Sequence, residues 1–236
     1  MDDEIRSYYE DAFEAVNYSG AGGVFTRITH RLIEKTFSQD CYFPITLEVG
    51  AAHAEHLAYI NHSFDNYILL DLENFDLDIE DISRKYCTKH GGRVSFLNDN
   101  AENISLATES VDRVVHTCFL HHLDKPETAL TEIRRVLKQG GVYTAYLPCD
   151  RGLLYSIVQF LTTRRKAIKY IKDNDLSINY SYLRAKEHPN HYFALRSLIE
   201  EVFKDDSIHS SEFFCGFKSY NLNFFTVLNI TIDKSK

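Results

Sequence analysis

The stretch that most constrains what this chain can fold into is Leu47-Glu48-Val49-Gly50-Ala51-Ala52-His53-Ala54. A short apolar run ends in an acid and enters a loop of small residues, which predicts a strand turning tightly into a helix over 52–62. A second apolar run, Tyr67-Ile68-Leu69-Leu70, closes on Asp71. Strand, small-residue turn, helix and an acid about 20 residues on make the layout of a nucleoside-binding βαβ unit. The loop then narrows the nucleoside. A dinucleotide site uses a second glycine so that the backbone can approach the pyrophosphate, and this chain has Ala52 there. S-adenosylmethionine (SAM) brings no phosphate and tolerates that methyl group, so the loop favours SAM over NAD.

The remainder continues the alternation. Apolar periodicity predicts helices over 5–17 and 24–37, split by the glycine-rich 18–23, ahead of the first strand. Strands are expected at 45–49, 67–71, 93–98, 111–118 and 141–147, with helical segments at 77–89 and 125–138. Lys138-Gln139-Gly140-Gly141 reads as a helix stop, with glycine supplying the left-handed residue. An amphipathic helical stretch follows at 151–172, then a polar, histidine-rich 174–192 and a helix over 194–204. Two β-rich runs, 207–216 and 221–231, are separated by only Phe217 to Tyr220, too few residues for a parallel crossover. They must pair antiparallel.

The expected fold class is therefore α/β: a doubly wound, mostly parallel seven-stranded sheet with an antiparallel C-terminal hairpin and helical cap elements. One domain over 1–236 is expected, with a helical cap (1–40), a cofactor-binding core (45–148), a variable substrate-cap region (151–205) and the closing hairpin (207–231).

A net charge of −8 argues against a general nucleic-acid surface. The basic run Arg164, Arg165, Lys166, Lys169 and Lys172 reads as a solvated helix face. Five scattered cysteines without a C-x-x-C pair point to reduced thiols. With an acidic start, Met1-Asp2-Asp3-Glu4, and no apolar run near membrane-span length, the expected location is cytoplasmic. The oligomeric state is not legible.

A longer pattern follows the first motif. Asn100-Ala101-Glu102-Asn103 leads through Ser110-Val111-Asp112-Arg113-Val114-Val115 and Phe119-Leu120-His121-His122-Leu123 to Ala129-Leu130, Glu132-Ile133, Arg135-Val136-Leu137-Lys138 and Gly140-Gly141. In this order the chain resembles the class I SAM-dependent methyltransferases, specifically the small-molecule, ubiquinone-type (methyltransferase type 11-like) enzymes, over roughly residues 45–148. The resemblance implies SAM as cofactor and a binding set of Glu48, Gly50, Ala51, Ala52, His53, Asp71, Leu72, Asp99, Asn100, Ala101, Thr117, Cys118 and Phe119. Within it, Glu48 and the Gly50 loop would face the methionine end, and Asp71 would accept the ribose hydroxyls. Asn100 stands where the family usually has an aspartate for the adenine amino group, with Asp99 as a stand-in, and Ala52 and Ala54 replace common glycines.

A hydroxyl acceptor needs its proton removed, which a His or carboxylate near neutral pKa can do, while an amine need only be deprotonated and positioned. His121 and His122, past the fourth strand, and Glu187, His188 and His191, in Glu187-His188-Pro189-Asn190-His191-Tyr192, are the catalytic candidates. Their types also suit a metal, but nothing in the spacing requires one and none is assigned. Tyr8, Tyr9, Phe13, Tyr18, Tyr180 and Tyr182 read as packing more than as an aromatic lid. The expected function is methyl transfer from SAM to an oxygen or nitrogen of a small polar metabolite, a sugar or other biosynthetic intermediate. The alternative is a non-catalytic SAM-binding or scaffold protein on the same fold.

Overall fold

A computed structural model describes Tyr8, residues 21–73, Phe75 and residues 77–235. The expected helix 5–17 and the aromatic residues Tyr9, Phe13 and Tyr18 lie outside the described residues. Five strands come first: β1 (Ile45–Val49), β2 (Asn66–Asp71), β3 (Arg93–Asn98), β4 (Val111–His116) and β5 (Leu137–Pro148). β6 (Ser207–Phe213) and β7 (Phe225–Thr231) complete one seven-stranded sheet, ordered β3-β2-β1-β4-β5-β7-β6. β1 to β5 pair in parallel, and β7 runs antiparallel to both β5 and β6. The short connection expected between the last two strands lengthens to 214–224, but the antiparallel pairing stands.

Helices cover both faces. α1 (Ala21–Ile33) and α2 (Ile79–His90) lie on one, while α3 (Pro126–Val136) and α7 (Tyr192–Val202) pack on the other. Between β5 and α7 come α4 (Leu153–Leu161), α5 (Thr163–Asp173) and α6 (Tyr180–Glu187). α3 illustrates the local logic. Pro126 opens it, where a missing N–H costs nothing. Ala129, Leu130, Ile133 and Val136 then fall on one stripe and are fully buried against the sheet with Leu195 and Ile199 of α7. Each such buried Leu, Ile or Val contributes roughly 1.5–3 kcal/mol.

Three expectations need correction. α1 begins at Ala21, so Gly22 and Gly23 sit inside the helix rather than in the break expected over 18–23. α3 stops at Val136 and β5 starts at once; pairing jumps from Val111↔Leu137 to Arg113↔Val142, so 138–141 form a bulge within the strand rather than a helix stop. Gly141 fits there because an added Cβ would lie 2.9 Å from the Lys138 carbonyl oxygen. The 151–172 stretch breaks in two at Thr162 (φ −118, ψ −95). On α5 the five basic residues are exposed while Ala167 and Ile171 are buried, and Tyr8 packs into the same cluster, 5.9 Å from the Tyr170 ring. Packing is thus what Tyr8 does. Among the described residues, no helix is long and apolar enough to cross a membrane.

Candidate active site

The carboxyl ends of β1, β2, β3 and β4 converge on one loop cluster. Gly50 leaves β1 at φ +70, and an added Cβ there would lie 2.5 Å from Phe119 Cδ2. The Gly50 and Ala51 amides both donate to the Leu70 carbonyl, at 2.9 and 3.1 Å, stitching the loop to β2. Ala52 (φ 43) and Ala54 (φ 60) then take left-handed backbone without being glycine, at a cost of about 1 kcal/mol each. Two left-handed residues within three cannot continue a right-handed helix. The helix expected over 52–62 is accordingly reduced to a single 3-10 turn, Glu55–Tyr59. Between α1, this turn and α2 lies a cleft of about 400 Å³ lined by Arg27, His30, His53, Tyr59, Lys85 and Tyr86, among others.

Asp71 ties this loop down. Its carboxylate accepts the Ala52 amide at 2.9 Å and the Glu73 amide at 3.1 Å while staying partly exposed at the end of β2. Leu72 beside it is exposed, and His53 packs against Phe75 at 4.8 Å. At the end of β3, Asp99 accepts the Asn100 and Ser105 amides at 2.9 and 2.7 Å. Burial alone would raise this carboxyl; the Ser105 and Asn100 donors outweigh it and hold it below the usual range. Asn100 spends one Oδ1 lone pair on the Glu102 amide, and Ala101 is buried beneath. From β4, Thr117, Cys118 (φ 47) and Phe119 close the edge.

The Glu48 side chain is buried under the loop, where it accepts the Tyr67 hydroxyl at 2.9 Å. Burial pushes its carboxyl up to about 7, against the pull of His56 and Tyr67. It borders a buried polar network that sequence reading missed. Arg113, in the middle of β4, donates to both Glu34 oxygens at 3.0 and 2.5 Å, and its guanidinium lies 4.0 Å over Phe37. His56 Nε2 is 3.0 Å from Glu34, and His56 and His30 meet through their Nδ1 atoms at 2.9 Å. Burial would raise the Glu34 carboxyl, but Arg113 and the His56 hydrogen bond hold it well below the carboxylate range. Burial, with His56 adding to it, pushes His30 down to about 3. The available signal was Arg113 itself, since a guanidinium inside an apolar strand demands a buried carboxylate.

Past β4, Leu120–His122 form a 3-10 turn carrying His121, which is buried, and His122, which is exposed. His188 reaches them because α6 ends just before Pro189, which disfavours helical backbone in the residue ahead of it, and His188 takes φ −125, ψ 73. Asn190 fastens the junction by donating through Nδ2 to the Leu123 carbonyl at 2.5 Å. The result is a cluster of tilted rings in which His121 lies 4.1 Å from His122 and 4.2 Å from His188, centroid to centroid. His188 Nδ1 is 2.7 Å from Asp150 at the end of β5, and Arg184 Nη2 is 3.3 Å from the same oxygen. Burial, then the neighbouring His122 and His188, push His121 well below its ordinary value. Burial would raise Asp150, but His188 and Arg184 bring it down. Of the five catalytic candidates the structure gathers three. His191 starts α7 instead and is exposed outside this cluster, and the Glu187 side chain lies outside what the structure describes.

Residues 47–145 match the sequence model of a family described as a methyltransferase domain. No curated protein sequence matches the chain. Among solved structures, a Thermotoga maritima SAM-dependent methyltransferase, described as a possible histamine N-methyltransferase, aligns with 97% of this chain and 96% of its own, at TM-score 0.53 and 16% identity. The Burkholderia thailandensis 1,6-didemethyltoxoflavin-N1-methyltransferase, with bound 1,6-didemethyltoxoflavin and S-adenosylhomocysteine, aligns over 98% and 86% at TM-score 0.57 and 13% identity. A SAM-dependent methyltransferase from Archaeoglobus fulgidus aligns over 95% and 100%, at 0.56 and 15%. At these identities the likeness is one of fold.

Proposed function

We propose that this chain, which carries a methyltransferase domain over residues 47–145, transfers the methyl group of SAM to an oxygen or nitrogen of a small polar metabolite, such as a sugar or another biosynthetic intermediate. The observation that carries this reading is the Gly50 loop held against Asp71, with that carboxylate partly open at the end of β2. A carboxylate in that place accepts ribose hydroxyls. The acceptor would approach over the ends of β4 and β5, where the histidine cluster lies. Its lone pair attacks the sulfonium methyl, the new O–C or N–C bond forms as the S–C bond breaks, and S-adenosylhomocysteine leaves. A hydroxyl acceptor loses its proton at this edge, to an imidazole of the cluster where no ion is bound. Alignment and desolvation supply most of the rate.

The alternative, a non-catalytic SAM-binding protein, draws on Ala52, Ala54 and Asn100. Calorimetric titration with S-adenosylhomocysteine, beside NADH, tests the cofactor. Binding of the homocysteine compound alone is expected, and Asp71→Ala should weaken it roughly 10- to 100-fold, the range for losing hydrogen bonds to a charged group. Equal affinity in that variant, or binding of NADH instead, refutes the site. Cofactor binding without turnover across an acceptor panel favours the alternative.

A further inference from the structure

We propose that the imidazoles of His121, His122 and His188 form a binding site for one divalent transition-metal ion at the acceptor edge of the sheet. One ligand nitrogen from each lies within 4.8 Å of the others. Tetrahedral coordination at about 2.0–2.1 Å places ligand nitrogens roughly 3.4 Å apart. The nitrogens must therefore close by at most roughly 1.4 Å to reach that spacing. The three rings come from two anchored segments, the turn after β4 and the α6–α7 junction that Asn190 ties to it.

The surroundings have the form of a metal centre. Asp150 sits 2.7 Å from His188 Nδ1, the carboxylate–histidine relation that fixes the tautomer and aims Nε2 at an ion. Arg184 Nη1 lies 3.2 Å from that Nε2, so the ion displaces the guanidinium from His188 while Arg184 keeps Asp150. Three imidazoles and no carboxylate in the ligand set select zinc, cobalt, nickel or copper over magnesium or calcium. Three protein ligands, one of them exposed, leave a coordination position for the acceptor, as catalytic rather than structural sites do. The ion's role toward an acceptor rests on the methyl-transfer reading; its binding does not.

The test uses untagged, full-length protein stripped with a chelator, then titrated calorimetrically with zinc chloride, with magnesium chloride as control and S-adenosylhomocysteine affinity measured in parallel. One zinc per chain is expected, and no magnesium. His122→Ala, at an exposed position, should lower zinc affinity at least roughly tenfold, and Asp150→Asn should lower it roughly 10- to 100-fold. S-adenosylhomocysteine binding should be unchanged in both variants, which also reports that they are folded. Absence of stoichiometric zinc binding, or equal affinity in folded His122→Ala, overturns the proposal. Loss of S-adenosylhomocysteine binding by the unaltered protein instead refutes the methyl-transfer reading and leaves the zinc result standing by itself.

Discussion

Replacing Arg113 with methionine removes a guanidinium that is fully buried and bonded to Glu34 through both terminal nitrogens, at 3.0 and 2.5 Å. Glu34, equally buried, is left with His56 at 3.0 Å as its side-chain partner. Stranding one member of a buried ion pair costs about 3–5 kcal/mol, and losing the stack over Phe37 adds about 1 kcal/mol. In a chain of 236 residues each kcal/mol shifts Tm by about 2–4 °C, so a fall of about 10–20 °C is expected. Urea denaturation and calorimetry read this directly. The double variant Glu34→Leu/Arg113→Met removes both charges and should recover most of the loss, because an apolar pair of similar volume suits the site about as well as the ion pair. A single variant costing less than about 1 kcal/mol, or a double as unstable as the single, refutes the reasoning.

Gly50→Ala places a Cβ 2.5 Å from Phe119 Cδ2 at φ +70; a loss of about 1–2 kcal/mol in stability is expected, with S-adenosylhomocysteine affinity down at least roughly tenfold. Unchanged affinity by calorimetry would remove this loop from the cofactor site. Glu48→Gln tests the carboxyl raised from 4.5 to about 7. The folded protein holds that proton where the unfolded chain has released it, so Glu48 lowers stability as pH rises through this window, whereas His30, depressed from 6.5 to about 3, raises it up to 6.5. The glutamine should therefore make the slope of unfolding free energy more positive by about 1.4 kcal/mol per pH unit between the two Glu48 values. Identical slopes in variant and parent would contradict the assignment.

The inner strand positions were legible because apolar runs mark them, closed by Asp71 in β2, Asn98 in β3 and His116 in β4, and β1, β2 and β3 lie within a residue of their expected bounds. The mostly parallel sheet followed from the alternation of strands and helices, and its antiparallel finish from the last two β-rich runs; the order of its strands came only with the structure. What was not legible depended on backbone choices that side chains do not announce. Ala52 and Ala54 in left-handed conformation erased a helix that their propensity favours. At 138–141 a glycine pair that resembles a helix stop instead absorbs extra residues inside β5. The site was half readable. The spacing of a βαβ unit sets Asp71 at the end of the strand beside the one that Gly50 leaves, so the neighbourhood of the two could be placed. The contact of His188 with His121 depends on how the α6–α7 junction meets the turn after β4, and no local pattern encodes it. Arg113, Glu34 and His56 likewise meet only through the sheet.

That last meeting has a consequence for how sequences of this kind can diverge. Position 34 lies after α1, position 56 in the turn after β1 and position 113 within β4, yet their side chains meet in one buried space. A change at one of them alone strands a charge or a ring nitrogen, so drift there is blocked one step at a time. In related chains the three positions should be retained together or exchanged together for an apolar trio. Intermediates that carry the arginine without the glutamate should be absent.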